Sequence, residues 1–251
     1  RSRVYYGVGK PDPDAELVFG PNIADWPEQI AMPQDLLLTA ASAIYDPVTT
    51  TDELIPSGET SSYRSNPLRL AEFTLSRRVP EYVPRAKDVA AREAQRRQGD
   101  VPASLLEVLS RVGDAQALAK NTQFGSCVFA NKPGDGSARE QAASCQRVLG
   151  GCANICYEFA TKRYRSNCVN WGMLPFTLAD GAPFDAVPGD FIFVPAVREK
   201  VARGDGEFPA VLIHDGKTQP MTLYLKNTGA EERELLLTGC LMNHYAAQNR
   251  R

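Results

Sequence analysis

The chain has 251 residues, of which 43% are hydrophobic and 23% charged, as is typical of a globular protein with a substantial core. A formal net charge of −2 and a pI of about 5.8 provide no basic face, so we expect no nucleic-acid partner. No apolar run approaches the ~18 residues that a membrane span requires, so we expect no membrane association.

The N-terminal stretch reads as a connecting segment. Residues 7–35 are rich in Pro, Asp and Gly, and Pro removes backbone donors and favours extended chain. We therefore predict a Pro-rich N-terminal arm or linker over residues 1–45 and one domain over residues 46–251. The chain starts at Arg1 without a signal-peptide pattern, so we also expect a fragment of a longer protein.

The first predicted elements are mixed. Residues 36–45 predict a short helix, or a helix followed by a strand, and the alternation in residues 68–75 (L-R-L-A-E-F-T-L) predicts a strand. Residues 85–119 form the clearest helical region, interrupted near Pro102. Residues 126–130 predict a short buried strand.

The second half predicts alternating helices and strands. Ser137 opens a helix to about Leu149, a strand follows over residues 152–157, and a second helix begins near Phe159. From Gly181 onward four segments predict strands: D-F-I-F-V, P-A-V-L-I-H, M-T-L-Y-L and E-L-L-L-T-G. The fold class is therefore α/β, with more than one layer.

Six cysteines are expected to be reduced core thiols, because the chain is large and has no secretory signal. We also expect a cytoplasmic location. Cys152 and Cys156 lie in the predicted strand, where residues four apart are ~13 Å apart, too far to bind one ion. We therefore expect no metal ligands on this chain.

The stretch G-D-G-S-A-R-E at residues 134–140 allows three interpretations. Ser137 and Glu140 fit the S-x-x-E capping box of a helix N-terminus. The glycines, the first-turn N–H groups and Arg139 also suit the binding of an anion. A reactive role for Ser137 is the third interpretation, and the residues alone leave all three open.

Other catalytic motifs are weak. No G-x-S-x-G elbow surrounds Ser137, and no Gly-Lys-Ser/Thr of a phosphate-binding loop occurs. The chain has two histidines, and His214-Asp215-Gly216 predicts a hairpin turn. This pattern argues against a Ser-His-Asp triad.

Three separated stretches resemble the swivel domain of the aconitase superfamily, which includes the small subunits of isopropylmalate dehydratases. They are T-T-D-E-L-I-P-S-G at 50–58, G-D-G-S-A-R-E-Q-A-A at 134–143 and L-G-G-C-A-N-I-C-Y-E-F-A-T-K-R-Y-R-S-N-C-V-N-W-G-M-L-P-F at 149–176. Their order and spacing agree with the family over roughly residues 46–250. The resemblance implies a swivelling β/β/α three-layer domain.

The resemblance also implies roles for four residues. Ser137 matches the serine that takes the Cα proton of the substrate. Arg139 matches an arginine that holds a substrate carboxylate and supports the ionised serine. Counted without gaps from Asp52, Arg64 matches the second carboxylate-binding arginine. Asp52 itself matches an aspartate at the edge of the site.

A [4Fe–4S] cluster on a preceding part of the protein, or on a large subunit, is implied as well. The family's cluster signature includes a C-x-x-C pair, which this chain lacks. The resemblance thus implies a cluster-bearing partner and an isolated chain without activity. The Pro-rich start favours one continuous chain that also carries the cluster-binding part. A separate small subunit is the alternative.

The chain departs from the family pattern at four positions. Ala138 replaces a second serine and loses one hydroxyl contact to substrate, and Gln141 replaces a histidine. In the first motif Glu53 replaces a histidine and Ile55 a serine. These changes imply a divergent hydro-lyase for another hydroxy di- or tricarboxylic acid, and they leave open a non-catalytic anion-binding or docking module.

Two other pairs of arginines require an interpretation. Arg77 and Arg78 are alternatives for the carboxylate contact, because they follow the strand predicted over residues 68–75. Arg163 and Arg165 are expected to form structural ion pairs.

Overall fold

The computed structural model describes residues 7–16 and 18–249. The strands in these residues are β1 Asp35–Ile44, β2 Thr49–Thr50, β3 Thr122–Ala130, β4 Pro133–Asp135, β5 Gly151–Cys156, β6 Leu174–Thr177, β7 Phe191–Val194, β8 Glu207–His214 and β9 Lys217–Tyr224. Seven of them form a sheet that closes on itself in the order β1-β3-β5-β6-β9-β8-β7. The remaining two, β2 and β4, pair with each other.

The closed sheet has a parallel and an antiparallel half. Strands β1, β3, β5 and β6 pair in parallel, whereas β7, β8 and β9 pair antiparallel and close the sheet against β1 and β6. The parallel strands are buried on both faces, so their sequences lack the regular alternation of apolar and polar residues that a half-exposed strand has.

Helices connect and cover these strands. They are α1 Thr51–Leu54, α2 Pro67–Ala71, α3 Tyr82–Arg97, α4 Ala103–Ser110, α5 Ala115–Asn121, α6 Arg139–Val148, α7 Lys162–Asn170, α8 Val197–Arg203, α9 Ala230–Thr238 and α10 Leu241–Asn249. Within the described ranges, no helix combines the length and hydrophobicity needed to cross a membrane.

Buried side chains divide the molecule into layers. One cluster lies between the two halves of the sheet and includes Phe129, Phe176 and Phe208. A second cluster joins the outer face of β1 and β3 to α2, α3, α6 and α7. Two sheet layers and one helical layer make up a β/β/α arrangement, so the predicted α/β class is confirmed. A smaller cluster packs α4 and α5 against the sheet.

Strand β1 corrects two predictions. Residues 36–45 were expected to begin with a helix, but residues 35–44 form a central strand between β3 and β7. The predicted arm also included these residues, which instead supply both main clusters of buried side chains. A strand that is buried on both faces has no period of two and resembles a buried helix. Residues 7–16 and 18–34 contain turns but no helix or strand.

Two predicted strands are helices. Residues 68–71 belong to α2 and residues 72–75 form turns, because the Asn66 side chain accepts a hydrogen bond from the Arg69 N–H and Pro67 occupies the first turn of the helix. The segment E-L-L-L-T-G lies in α9, whose Leu235 and Leu236 pack into the main core. Tertiary packing decides whether such a short apolar run forms a helix or a strand.

The remaining predicted elements are confirmed. Residues 85–119 contain most of α3, all of α4 and most of α5, and the predicted strands at β3, β5, β7, β8 and β9 are present. Asp215 and Gly216, both with positive φ, form the turn between β8 and β9.

Three buried polar side chains hold α6 against β5 and α7. Gln146 donates to the Tyr164 hydroxyl at 2.9 Å, Tyr164 donates to Asn154 at 3.0 Å, and Asn154 donates back to Gln146 at 3.0 Å. All three are at most 1% exposed. Because each group finds a partner, the network fixes α6 relative to the sheet without leaving a buried polar group unsatisfied.

Candidate functional site

The small sheet brings the first two sequence motifs together. Thr49 pairs with Pro133 and Thr50 with Asp135, although the two segments are more than 80 positions apart. Helix α1 starts directly after Thr50, and the loop to α6 starts directly after Asp135. The start of α1 therefore lies beside the loop that carries Ser137.

Two glycines shape this loop. Gly134 has φ +97°, and a Cβ there would lie 2.3 Å from the Tyr164 ring. Gly136 has φ +130°, and a Cβ there would lie 2.2 Å from Thr51 Oγ1. Both positions need the left-handed half of φ space and a close approach that only glycine permits.

Helix α6 starts later than predicted. Its first residue is Arg139 and its N-cap is Ala138, which has no side chain that can accept a hydrogen bond. Glu140 accepts instead from the Trp171 indole N–H at 2.9 Å. The capping-box interpretation of Ser137 and Glu140 is therefore wrong. Ser137 is exposed, and its hydroxyl forms no hydrogen bond with the described residues.

The capping box occurs at α1. The Thr50 hydroxyl accepts from the Glu53 N–H at 3.2 Å, and Glu53 accepts from the Thr50 N–H at 2.7 Å. Sequence analysis missed this box, although T-x-x-E in T-T-D-E is its usual signature. Glu53, which stands where the family has a histidine, is thus occupied in holding the start of α1.

Ser137, Ala138 and Arg64 line one cleft of about 290 Å³. The structure thus brings together a serine and an arginine that are 73 positions apart. The other lining residues are Ile55, Ser57, Thr60, Leu70 and Gln141. Ile55 and Leu70 are 1% and 3% exposed, so polar side chains provide most of the accessible wall.

Arg139 and Asp52 lie beside this cleft and do not line it. Arg139 is half-buried in the first turn of α6, two residues after Ser137. Asp52 accepts from the Ser57 N–H and from the Ser57 hydroxyl, both at 3.1 Å. Because Ser57 does line the cleft, Asp52 supports its edge through Ser57.

The arginines fall into paired and unpaired groups. Arg77 lies 2.8 Å from Glu59 and 3.3 Å from Asp52, and the hydrogen bond that it donates to Glu59 raises the pKa of Arg77 above the usual value. Arg78 pairs with Asp46. Among the described residues, Arg64 and Arg139 form no ion pair. Their guanidinium groups therefore keep their donors for a ligand, whereas Arg77 and Arg78 are already neutralised.

Arg165 has a structural role, as expected. It lies 2.8 Å from Glu232 and donates to the Lys226 carbonyl at 3.0 Å, which ties α7 to the start of α9. Arg163 is exposed and forms no ion pair with the part of the chain described.

His214 lies in another part of the fold. Its Nδ1 is 2.7 Å from Asp190 and its Nε2 is 3.3 Å from Asp215, at the end of the β8–β9 hairpin. The hydrogen bond with Asp190 raises the pKa of His214. Since both ring nitrogens face carboxylates, His214 does not form a dyad with Ser137.

The described residues do not fit an iron–sulfur cluster. No group of three His, Cys, Asp or Glu side chains among them is placed to hold a metal ion. All six cysteines are free and buried. Burial raises the pKa of Cys127 and Cys168 to about 12, which opposes the thiolate form that metal binding requires.

Comparison with known proteins agrees with the second and third motifs, which lie within the matched residues. Residues 90–181 match the family described as the aconitase C-terminal domain. A mitochondrial aconitate hydratase of Schizosaccharomyces pombe is 31% identical over 116 residues, which are 45% of this chain and 14% of that protein. A mitochondrial aconitate hydratase of Arthroderma benhamiae is 47% identical over 55 residues, 22% of this chain and 7% of that protein.

A solved structure supports the fold. The 3-isopropylmalate dehydratase of Methanocaldococcus jannaschii superposes with a TM-score of 0.50 over 86% of this chain and 96% of that one. At 19% identity this likeness concerns the fold alone. The matched segments of the two hydratases cover at most 14% of their length, so the chain spans only a small part of these relatives. Residues 90–181 are thus similar to the aconitase C-terminal domain, and the fold of the chain is similar to that of the isopropylmalate dehydratase structure.

Proposed function

We propose that this chain is the swivel part of a hydro-lyase that acts on a hydroxy di- or tricarboxylic acid. Ser137 is the base, and Arg64 and Arg139 bind carboxylate groups of the substrate. One observation carries the proposal. Ser137 is exposed, does not cap α6, and shares a cleft with Arg64, which forms no ion pair with the described residues.

The base must remove a proton from a carbon beside a carboxylate. A serine alkoxide is strong enough, but it is rare at neutral pH unless nearby positive charge stabilises it. Ser137 stands just before the N-cap of α6, where first-turn N–H groups have no acceptor within the helix. Arg139 adds a full positive charge in the same turn. In the reaction, the carbon-bound proton moves to Ser137 Oγ.

Carboxylate binding follows from the geometry of the guanidinium group. An arginine fork can donate two parallel hydrogen bonds to one carboxylate, which fixes both its position and its orientation. Arg64 lines the same cleft as Ser137, and Ser57, Thr60 and Gln141 add neutral donors there. The names of the relatives, aconitate hydratase and 3-isopropylmalate dehydratase, refer to acids of this class.

The rest of the active site comes from another part of the assembly. We assign the [4Fe–4S] cluster to a cluster-bearing domain or large subunit, because the described residues of this chain offer no ligand set. The isolated chain is then inactive. Six free thiols suit a reducing compartment such as the cytoplasm.

The test is the turnover of the complete assembly with Ser137→Ala. We expect kcat to fall by about 10²–10⁴-fold, the usual contribution of a general base, with an unchanged melting temperature. Ser61→Ala is the matched control, because Ser61 is exposed in the neighbouring turn and does not line the cleft. Equal turnover in both variants would reject Ser137 as the base.

Ala138 favours a second candidate function, a non-catalytic anion-binding or docking module. The family's hydroxyl is absent there, so one substrate contact is lost. This alternative predicts carboxylate binding by the chain alone and no dehydration by any purified assembly. Calorimetric titration of the chain with aconitate, next to a turnover assay, separates the two functions.

A further inference from the structure

A short segment of the N-terminal region contacts the Arg64 loop directly and reaches the start of α6 through one intervening side chain. We call residues 22–26 the strap. Five extended residues span at most roughly 17 Å, so a segment pinned near both ends restricts the distance between its contacts. It contacts the loop that carries Arg64, and it contacts Trp171, whose indole N–H is hydrogen-bonded to the first turn of α6.

The first contact is with the Arg64 loop. The Asn22 side-chain amide donates to the Ser62 carbonyl, and the Ala24 N–H donates to the Ser65 carbonyl at 3.0 Å. These two carbonyl groups lie on either side of Arg64 in the sequence. The strap therefore holds the backbone from which the Arg64 side chain extends.

The second contact is with the α6 side. The Trp26 ring packs on Trp171 with 4.5 Å between ring centroids. The Trp171 indole N–H donates to Glu140 at 2.9 Å, and Glu140 is the residue after Arg139. The strap thus reaches the helix start that carries Arg139 through one intervening side chain.

Arg64 needs such support because its own side chain is not anchored. It is exposed and forms no ion pair or hydrogen bond with the described residues. Its position relative to Ser137 is therefore set by the loop backbone. On the loop itself, the amides of Tyr63 and Asn66 donate to the carbonyls of Thr60 and Tyr63 at 3.0 and 2.9 Å, and these are local turn bonds.

We propose that Asn22 and Trp26 are positioning residues that hold Arg64 at the correct distance from Ser137 for carboxylate binding. The inference rests on the proposed function, since it assigns Arg64 a ligand. It goes beyond that function by giving the strap a role in the affinity of the site, although no strap residue lines the cleft.

The first experiment measures the loop without any substrate. In the full chain, Asn22→Leu removes the amide donor and Trp26→Ala removes the ring contact. We expect the amides of Tyr63 and Asn66 to exchange hydrogen roughly three- to tenfold faster in both variants. Glu28→Gln is the control, because it removes the contact between Glu28 and Arg97 and leaves residues 22–26 unchanged.

The second experiment measures kinetics in the complete assembly. A misplaced Arg64 weakens substrate binding and leaves Ser137 in place, so KM should rise about tenfold while kcat stays within about twofold. Trp26→Phe should restore most of the affinity, since a phenyl ring can still pack on Trp171. Glu28→Gln should match the unaltered protein.

The outcomes distinguish a failure of the positioning role of the strap from a failure of the proposed function. Unchanged exchange at Tyr63 and Asn66 in both variants would overturn the inference, and so would faster exchange with an unchanged KM. If Ser137→Ala retains turnover while Asn22→Leu still raises KM and loop exchange, the base assignment fails and the positioning role stands.

Discussion

Gly136 determines where the Ser137 hydroxyl lies. Its φ of +130° turns the chain from β4 towards α6, and its missing side chain leaves room for Thr51 Oγ1. Thr51 is only 2% exposed, so it has little freedom to move away from a new methyl group. A single backbone position therefore couples the first motif to the second.

We predict that Gly136→Ala destabilises the protein by about 1–3 kcal/mol, because it adds both backbone strain and a steric clash. Gly58→Ala is the control, since no heavy atom lies within 4 Å of a Cβ there and its φ is not positive. The control should lie within about 0.5 kcal/mol of the unaltered protein. Urea unfolding of both variants gives the comparison, and equal midpoints would contradict the prediction.

At the scale of elements, α6 depends on its buried polar network as well as on apolar packing. Tyr164 takes part in two ways, because its hydroxyl joins Gln146 to Asn154 and its ring lies against Gly134. Burial raises the pKa of Tyr164, so the hydroxyl remains a donor at neutral pH. Through the contact of Tyr164 with Gly134, the third motif thus supports the loop that carries Ser137, although Tyr164 does not line the cleft.

Tyr164→Phe keeps the ring and removes the hydroxyl. Because Asn154 and Gln146 are then left with an unsatisfied buried group each, we expect a loss of about 1–3 kcal/mol in the free energy of unfolding. Tyr245→Phe, at a position that is 52% exposed, should have almost no effect. Guanidinium unfolding curves provide the test, and a Tyr164→Phe curve that overlays that of Tyr245→Phe would contradict the role of the network.

At the scale of the whole molecule, the six cysteines report on the integrity of the core. All are buried, in β3, β5, α6 and α7 and just after α9. Burial raises the pKa of five of them, to about 12 for Cys127 and Cys168. Native thiols are therefore shielded from reagents and also held in the unreactive protonated form.

We predict that a thiol reagent at pH 8 labels the native chain slowly, and that labelling follows global unfolding as denaturant is added. Raising the pH to 9 should accelerate labelling of a free thiol, whose pKa is about 8.5, far more than labelling of the native protein. An exposed thiol introduced by Ser61→Cys should react at once. Rapid labelling of any native cysteine without denaturant would contradict a closed core.

The sequence alone determined the elements whose patterns are local. The helices within residues 85–119, the strands β3, β5, β7, β8 and β9, and the hairpin at Asp215 and Gly216 each follow from spacing and turn chemistry. The three ordered motifs indicated the aconitase superfamily and singled out Ser137, Arg64 and Arg139 as candidates.

Tertiary structure decided what depends on partners that are distant in the sequence. Residues 35–44 form a strand because β3 and β7 pair with them on either side. Ser137 does not cap α6, because the turn at Gly136 leaves Ala138 at the N-cap position. Arg64 and Ser137 share a cleft only because the small sheet and α6 bring their segments together. Local propensity differs by less than about 1 kcal/mol per residue, whereas burial of one large side chain contributes about 2 kcal/mol, so packing prevails where the two conflict.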